Sequence, residues 1–307
     1  MSNRKIIGHF FQWKLKDITN NLNKIKECGY NAVQITPIQP CKEGGEFWTY
    51  YQPLSFEIGN RTGTKEDLIE LCYEANKIGI DIIVDVVLRH TAGTNDGKLR
   101  PHEAVDNKLK DNPYFWTNAD NTTNYNDRWC TCNKAFGMPM LDYNNYDLQH
   151  IYINFLEELK ECGVKGFRVD MGKHFSLEEE GSQFWGRVFG NFEDMFNYAE
   201  CLDCSKEILD KYTKVINVLT NGSASDKSKM VIYIMSHDTE ETWGFTKKMN
   251  DELIIREWRF LMQNNRESHV LFYVRSFSDL WKSEAVKNIN LTYQHNKLNV
   301  KKYESNV

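Results

Sequence analysis

Four places in the chain set ionisable side chains directly behind an apolar, strand-like run. Residues 80–88 lead into Arg89-His90. Residues 166–169 carry Arg168 and lead into Asp170, with Lys173-His174 just beyond. Residues 196–199 lead into Glu200, and residues 231–235 lead into Ser236-His237-Asp238. Taken singly, each reads equally well as a helix cap or an ion-pair partner. Together they place three carboxylates (Asp170, Glu200 and Asp238) and two imidazoles (His90 and His237) at matching positions of a repeating pattern, which favours one shared site at the ends of parallel strands. Two carboxyl groups about 5 Å apart support retaining hydrolysis of a glycosidic bond, one as nucleophile and one as acid/base. A third can hold sugar hydroxyls. Carboxylates with His also suit a divalent metal. Phe47, Trp48, Tyr50 and Tyr51, after the second strand-like run, favour sugar, because pyranose C–H faces pack on aromatic rings.

Such side chains need a frame. Residues 6–11, 32–35, 80–88, 166–169, 231–235 and 270–274 read as strands, and residues 17–28, 65–78, 147–162, 252–262 and 280–289 as helices. Thr64 is the expected N-cap of the second helix, with Gly79 its stop, and Gly163 ends the third. Repeated strand–helix units predict a parallel sheet with helices outside it. The 307 residues fit either two domains or one α/β barrel of about 250 residues with an insertion. Residues 91–145, rich in Asn, Asp, Thr and Gly, keep no period and are too long for an ordinary loop. They are the expected insertion, a small irregular subdomain, with the barrel formed by 1–90 and 146–307.

Composition excludes several classes. Apolar residues at 41% exclude disorder, and a net charge of −5 argues against a protein built to bind nucleic acid. No apolar run approaches membrane-spanning length, and no apolar segment follows the basic residues at the N-terminus, so no membrane association and a cytoplasmic location are expected. Cys130-x-Cys132 and Cys201-x-x-Cys204 lack a second pair at zinc-site spacing, and reduced thiols are expected. Gly93-Thr-Asn-Asp-Gly97-Lys98 is too short for a phosphate loop.

Several segments resemble the α-amylases of glycoside hydrolase family 13. His9-Phe-Phe-Gln-Trp13 with Asp17-Ile18 is similar to that family's first strand and helix start, and Gly29-Tyr-Asn-Ala-Val-Gln-Ile-Thr-Pro37 to its second strand. Tyr51-Gln-Pro with Asn60-Arg-Thr-Gly-Thr64 follows the YQP and RSGT pattern. Asp85-Val-Val-Leu-Arg-His90 resembles the block DxxxNH, and Gly166-Phe-Arg-Val-Asp-Met-Gly-Lys-His174 matches GFRxDxxKH. Tyr198-Ala-Glu200 fits the short block carrying the acid, and Ser236-His-Asp238 the block ending in HD. The resemblance covers nearly the whole chain. It implies a (β/α)8 TIM barrel and cleavage of α-1,4-glucosidic bonds in starch, glycogen or maltodextrins. Asp170 would be the nucleophile, oriented and kept ionised by Arg168 on the same side of the strand. Glu200 would be the acid/base, and Asp238 would hold and distort the sugar being cleaved. His90, His237, Tyr51 and Gln52 would contact that sugar, Lys173 and His174 the leaving-group side, and Trp48 a position further along the cleft.

The departures from the family pattern carry their own expectations. The first block has Arg89 where the family has an Asn that binds a structural calcium, and Asp142 resembles the retained calcium carboxylate. Arg89 is therefore expected to pair with Asp142 in place of the ion, and no cofactor is expected. Ser236 stands where chloride-dependent relatives have Asn, so chloride is not expected. The 38 positions from Glu200 to Asp238 are few for two crossings, so the barrel is expected to be irregular around its sixth strand, with residues 215–219 the strand and 223–229 a vestigial helix. A catalytic barrel without the family's customary C-terminal β-sandwich is expected. The rivals are an α-glucosidase or glucan transferase of the same family and a carbohydrate-binding protein on a decayed amylase scaffold. Oligomeric state is not legible.

Overall fold

Eight short runs of β-branched and aromatic residues pair in parallel and close on themselves, each strand beside the next and the eighth beside the first. In the computed structural model, which describes residues 4–294 apart from Tyr125, Trp243 and Phe277, the order is β1 (Ile6–Phe10), α1 (Leu15–Glu27), β2 (Ala32–Ile35), α2 (Lys65–Lys77), β3 (Asp81–Val86), α3 (Asn107–Lys110), α4 (Arg128–Asn133), α5 (Tyr146–Glu161), β4 (Gly166–Val169), α6 (Phe184–Val188), β5 (Tyr198–Glu200), α7 (Lys206–Tyr212), β6 (Asn217–Leu219), β7 (Met230–Tyr233), α8 (Asp251–Asn264), β8 (His269–Tyr273) and α9 (Glu284–Tyr293). This is a (β/α)8 barrel. The expected bounds at residues 1 and 307 lie outside the described residues.

The helices form where apolar residues recur every three or four positions. Ile18, Leu22 and Ile25 of α1, Leu68, Leu71 and Ala75 of α2, and Leu148, Tyr152, Phe155 and Leu159 of α5 are all buried against the sheet. Each Leu, Ile or Phe among them contributes about 1.5–3 kcal/mol by leaving water. Thr64 caps α2 as expected, in a reciprocal capping box with Asp67. The helix expected over 280–289 begins only at Glu284. Ser283 takes an extended backbone and accepts from Val286 N–H, so it caps α9 and cuts off a 3-10 turn at Leu280–Lys282. Between β6 and β7 the crossing is a single 3-10 turn at Lys227–Lys229, with no α-helix. β5 and β6 have three residues each. The residues between β3 and α5 carry the short helices α3 and α4 and a few isolated bridges, among them His90–Met140 and Trp116–Leu141.

Period-two alternation fills the barrel in layers. Ile7, Ala32, Ile83, Tyr198, Leu219, Val231 and Leu271 form an apolar floor. Two positions further along the strands stand His9, Gln34, Asp85, Glu200, Tyr233 and Tyr273, and Arg168 joins this level as the cross-strand partner of Asp85. The interior thus changes from apolar to ionisable within one strand period, at the C-terminal end of the barrel.

Candidate active site

Strand register decides which charges meet. Asp85 and Arg168 are direct partners across β3 and β4, and Arg168, 1% exposed, is the hub of the site. Its Nη1 donates to both oxygens of Asp85, at 2.8 and 2.9 Å, and to Asp170 Oδ1 at 2.8 Å. Its Nη2 donates to Glu200 Oε1. The second oxygen of Glu200 accepts from Met171 N–H at 3.0 Å. Met171 holds a left-handed backbone (φ 51°), an uncommon conformation for a side chain of that size, and it occurs at the turn that follows Asp170. The Tyr51 hydroxyl donates to Asp85 Oδ2 at 2.8 Å.

Three carboxyl groups on one guanidinium leave this buried cluster rich in negative charge. Burial pushes Asp85 up to about 6 against the pull of Arg168 and Tyr51. Asp170 is raised above the ordinary carboxylate range by burial and then by the charges of Glu200 and Asp85, with Arg168 opposing. Burial also raises Asp238, again with Arg168 opposing. Desolvation works against the charge of Arg168 itself, but Asp85, Glu200 and Asp170 outweigh it and hold the guanidinium protonated. The imidazoles move the other way. Burial lowers His90 to about 4, and burial with the nearby Arg168 charge lowers His237 to about 3, so both are neutral at pH 7. His90 Nε2 donates to the Tyr51 carbonyl at 2.8 Å, which leaves Nδ1 as an acceptor.

All of the residues expected to touch a sugar gather here. Trp48, Tyr51, Gln52, His90, Asp170, Glu200, His237 and Asp238 line one cleft of about 620 Å³. Lys173 and His174 line an adjoining hollow of about 170 Å³ that shares Glu200 and Asp238 with the cleft. Phe11, His237 and Tyr51 form a stack, with ring centroids 4.9 and 5.1 Å apart, and Trp48, 43% exposed, stands at the rim. Lys173 Nζ donates to the Leu202 carbonyl at 2.8 Å, and His174 Nδ1 to the Thr131 carbonyl at 2.8 Å. Arg128 of α4 donates to the Lys173 and Phe175 carbonyls and pairs with Glu180, so the segment before β4 holds the one that follows it. Asp85 is the member of this cluster to which the sequence assigned no role. It sits inside an apolar run, and the available signal was a charge on the inward phase of β3, which a core excludes unless the charge is paired.

Arg89 does not pair with Asp142. Its guanidinium donates to the carbonyls of Leu141, Cys132 (2.9 Å) and His174 (3.3 Å) and lies 4.7 Å from the centre of the Tyr143 ring. Asp142 accepts instead from Asn144 N–H at 3.1 Å, forming a local turn. The reason is geometric: a buried, five-donor fork is satisfied by several carbonyls at once, which one carboxylate on a turn cannot match. Arg89 thus brings its own positive charge to these carbonyls, so the residues present do not fit a calcium ion here. Among the described residues no group of three or more His, Cys, Asp or Glu is arranged to hold a metal.

A family model described as alpha amylase, catalytic domain, matches residues 12–263. An alpha-amylase of Clostridium acetobutylicum is 32% identical over 240 residues, 73% of this chain and 31% of that protein. The chain spans about a third of the length of the curated relatives it matches. Among solved structures, an alpha-amylase of Geobacillus thermoleovorans complexed with acarbose superposes with a TM-score of 0.75 at 18% identity, covering 94% of this chain and 78% of that one. A cyclomaltodextrin glucanotransferase superposes with a TM-score of 0.74 at 15% identity, covering 95% of this chain and 80% of that one. At such identities these two superpositions speak for the fold alone.

Proposed function

Because the chain belongs to the alpha-amylase family of glycoside hydrolases, family 13, we propose that it hydrolyses internal α-1,4-glucosidic bonds of starch, glycogen or maltodextrins with retention of configuration. The observation that carries this reading is the convergence of Asp170 and Glu200 on Arg168, with Asp238 lining the same cleft. Asp170 attacks the anomeric carbon to form a glycosyl ester while Glu200 protonates the departing oxygen. Glu200, now ionised, takes a proton from water, which attacks the same carbon and releases Asp170. Arg168 steadies the carboxylate in the free enzyme and after release. Asp238 holds hydroxyls of the distorted ring, with neutral His90 and His237 as hydrogen-bonding partners and Tyr51 beneath the ring. Lys173 and His174 face the leaving chain, and Trp48 stacks a sugar further out. The acarbose complex of the Geobacillus relative supports an oligosaccharide ligand.

The expected result on amylose is a rapid fall in viscosity, with short oligosaccharides appearing before glucose. Glucose released stepwise from chain ends would replace this reading with an α-glucosidase, and longer or cyclic products from a short donor with a glucan transferase. No turnover by pure protein would leave a binding protein.

We further propose that the fold draws on no calcium here. The Arg89 guanidinium supplies the positive charge shared by the Leu141, Cys132 and His174 carbonyls. A chelator is then expected to leave the melting temperature unchanged within about 1 °C, where loss of a bound ion lowers it by several degrees. A clear fall in chelator that added calcium reverses would overturn this.

A further inference from the structure

Asp238 does not sit on a strand. It opens a π-helical turn, Asp238–Thr242, beyond the end of β7, and such turns are rare and concentrate at functional sites. The wide turn splits its side chains between two faces. Asp238, Glu241 and Thr242 line the cleft, whereas Glu240 points to the barrel wall and is 1% exposed. There it meets Arg275, two residues past the end of β8 and 7% exposed. Arg275 Nε lies 2.7 Å from Glu240 Oε1, and Nη2 donates to Oε2 at 3.0 Å, a close ion pair with one direct hydrogen bond. The rest of the guanidinium is engaged with the same loop, Nη2 with the Thr246 carbonyl at 2.6 Å and Nη1 with the Met249 carbonyl at 2.8 Å. The Thr246 hydroxyl donates to Glu240 Oε2 at 2.6 Å. Glu240 N–H donates to the Ser236 carbonyl at 3.0 Å, closing the turn around Asp238. Val274 N–H donates to the His9 carbonyl at 3.0 Å, which ties the backbone before Arg275 to β1.

We propose that Glu240 and Arg275 are a positioning pair that fixes the depth and aim of Asp238 by clamping the turn after β7 to the end of β8. The inference rests on the reading of Asp238 given above. A buried ion pair adds little net stability over an apolar pair of the same size. Its effect is directional: it allows this carboxylate one place, and Glu240 is two residues from the carboxylate that holds the sugar. Neither side chain touches the cleft, so both act through Asp238.

The test is a double-mutant cycle. In folded protein, Glu240→Gln is expected to lower kcat on a maltooligosaccharide by about 30-fold with KM within about threefold, because a small misplacement costs most where the transition state is held. In an Asp238→Asn background, assayed on the same maltooligosaccharide, the same change is expected to cost less than about threefold, since there is no carboxylate left to aim. A purely structural role would lower the melting temperature and leave kcat of the folded fraction alone. A kcat within twofold of wild type for Glu240→Gln, or losses that multiply fully with Asp238→Asn, overturns the proposal. If Asp238→Asn alone leaves kcat intact, the reading of Asp238 fails as well. If Asp238→Asn alone lowers kcat and Glu240→Gln does not, only the clamp fails. Should Glu240→Gln not fold, Thr246→Val, which removes one hydrogen bond to the same carboxylate, is read by the same criteria with an expected loss of about fivefold.

Discussion

Asp170→Asn is expected to lower kcat on a chromogenic maltooligosaccharide by about four orders of magnitude or more while the protein stays folded. The amide oxygen is neutral and a poor nucleophile, so no glycosyl ester forms and the path through it closes. The fold is not at risk, because Asn keeps the shape and can still accept from Arg168 Nη1, which lies 2.8 Å from Asp170 Oδ1. Charge favours the variant. Burial and the neighbouring carboxyl groups raise Asp170, so the native state holds its ionised form at a cost. For such a group the folded protein binds the proton more tightly than the unfolded chain. The cost is therefore absent at low pH and grows as pH rises toward the folded value. At neutral pH the melting temperature of Asp170→Asn should equal or exceed that of wild type, and oligosaccharide binding by calorimetry should persist. Residual kcat above about 1% of wild type would rule out Asp170 as the nucleophile.

Glu200→Gln is expected to lose about three orders of magnitude on a natural glucan, and the loss should depend on the leaving group. A sugar alkoxide leaves poorly unless protonated, whereas fluoride leaves without help, so formation of the glycosyl ester from a glycosyl fluoride should slow by less than about tenfold. Its hydrolysis should remain slow, because water then lacks a base. The intermediate should accumulate on Asp170 and be visible as a mass increment of one glycosyl unit. Added azide, which needs no base, should restore turnover. Equal losses on both substrates, with no trapped intermediate, would assign the acid/base to another residue. In the free enzyme Glu200 is held between Arg168 Nη2 and Met171 N–H. A bound sugar oxygen must displace at least one of these contacts to reach the Glu200 carboxyl group.

The barrel and most of the site were legible for one physical reason. Strands alternate in period two and end where the apolar run ends, so Arg168, Asp170, Glu200 and Asp238 could be read as strand-end groups from the sequence. Asp85 was harder, because its partner lies 83 positions away and only the register of β3 on β4 brings them together. Arg89 failed differently. The sequence shows a cation and a carboxylate, and opposite charges suggest a pair, but the acceptors that hold the guanidinium are backbone carbonyls, which every residue carries and no spelling reveals. Glu240 and Arg275 are 35 positions apart on two loops, and no periodicity links loop residues. The break in the last helix turned on Ser283, whose preference for capping outweighed the apolar spacing around it.

The pairing of β1 with β8 bears on how the molecule comes to exist. Arg4 reaches the carbonyl of Ser268, 264 positions away, and also those of Asn265 and Tyr293. The first strand therefore has one neighbour almost at once and waits for the other until β8, some 264 positions further on, has been made. At ordinary synthesis rates that wait is roughly 15 to 50 s. Over that time one edge of the growing sheet is open, and its unpaired backbone invites the wrong strand, from this chain or another. Arg275 arrives after that closing strand, so the pocket is complete only once the ring is. A polypeptide interrupted upstream of β8 would carry Asp170, Glu200 and Asp238, yet it would be a sticky fragment without the curvature that makes them converge. In this architecture the contact of greatest sequence separation, the kind that slows folding, is also the one that closes the ring around the proposed site.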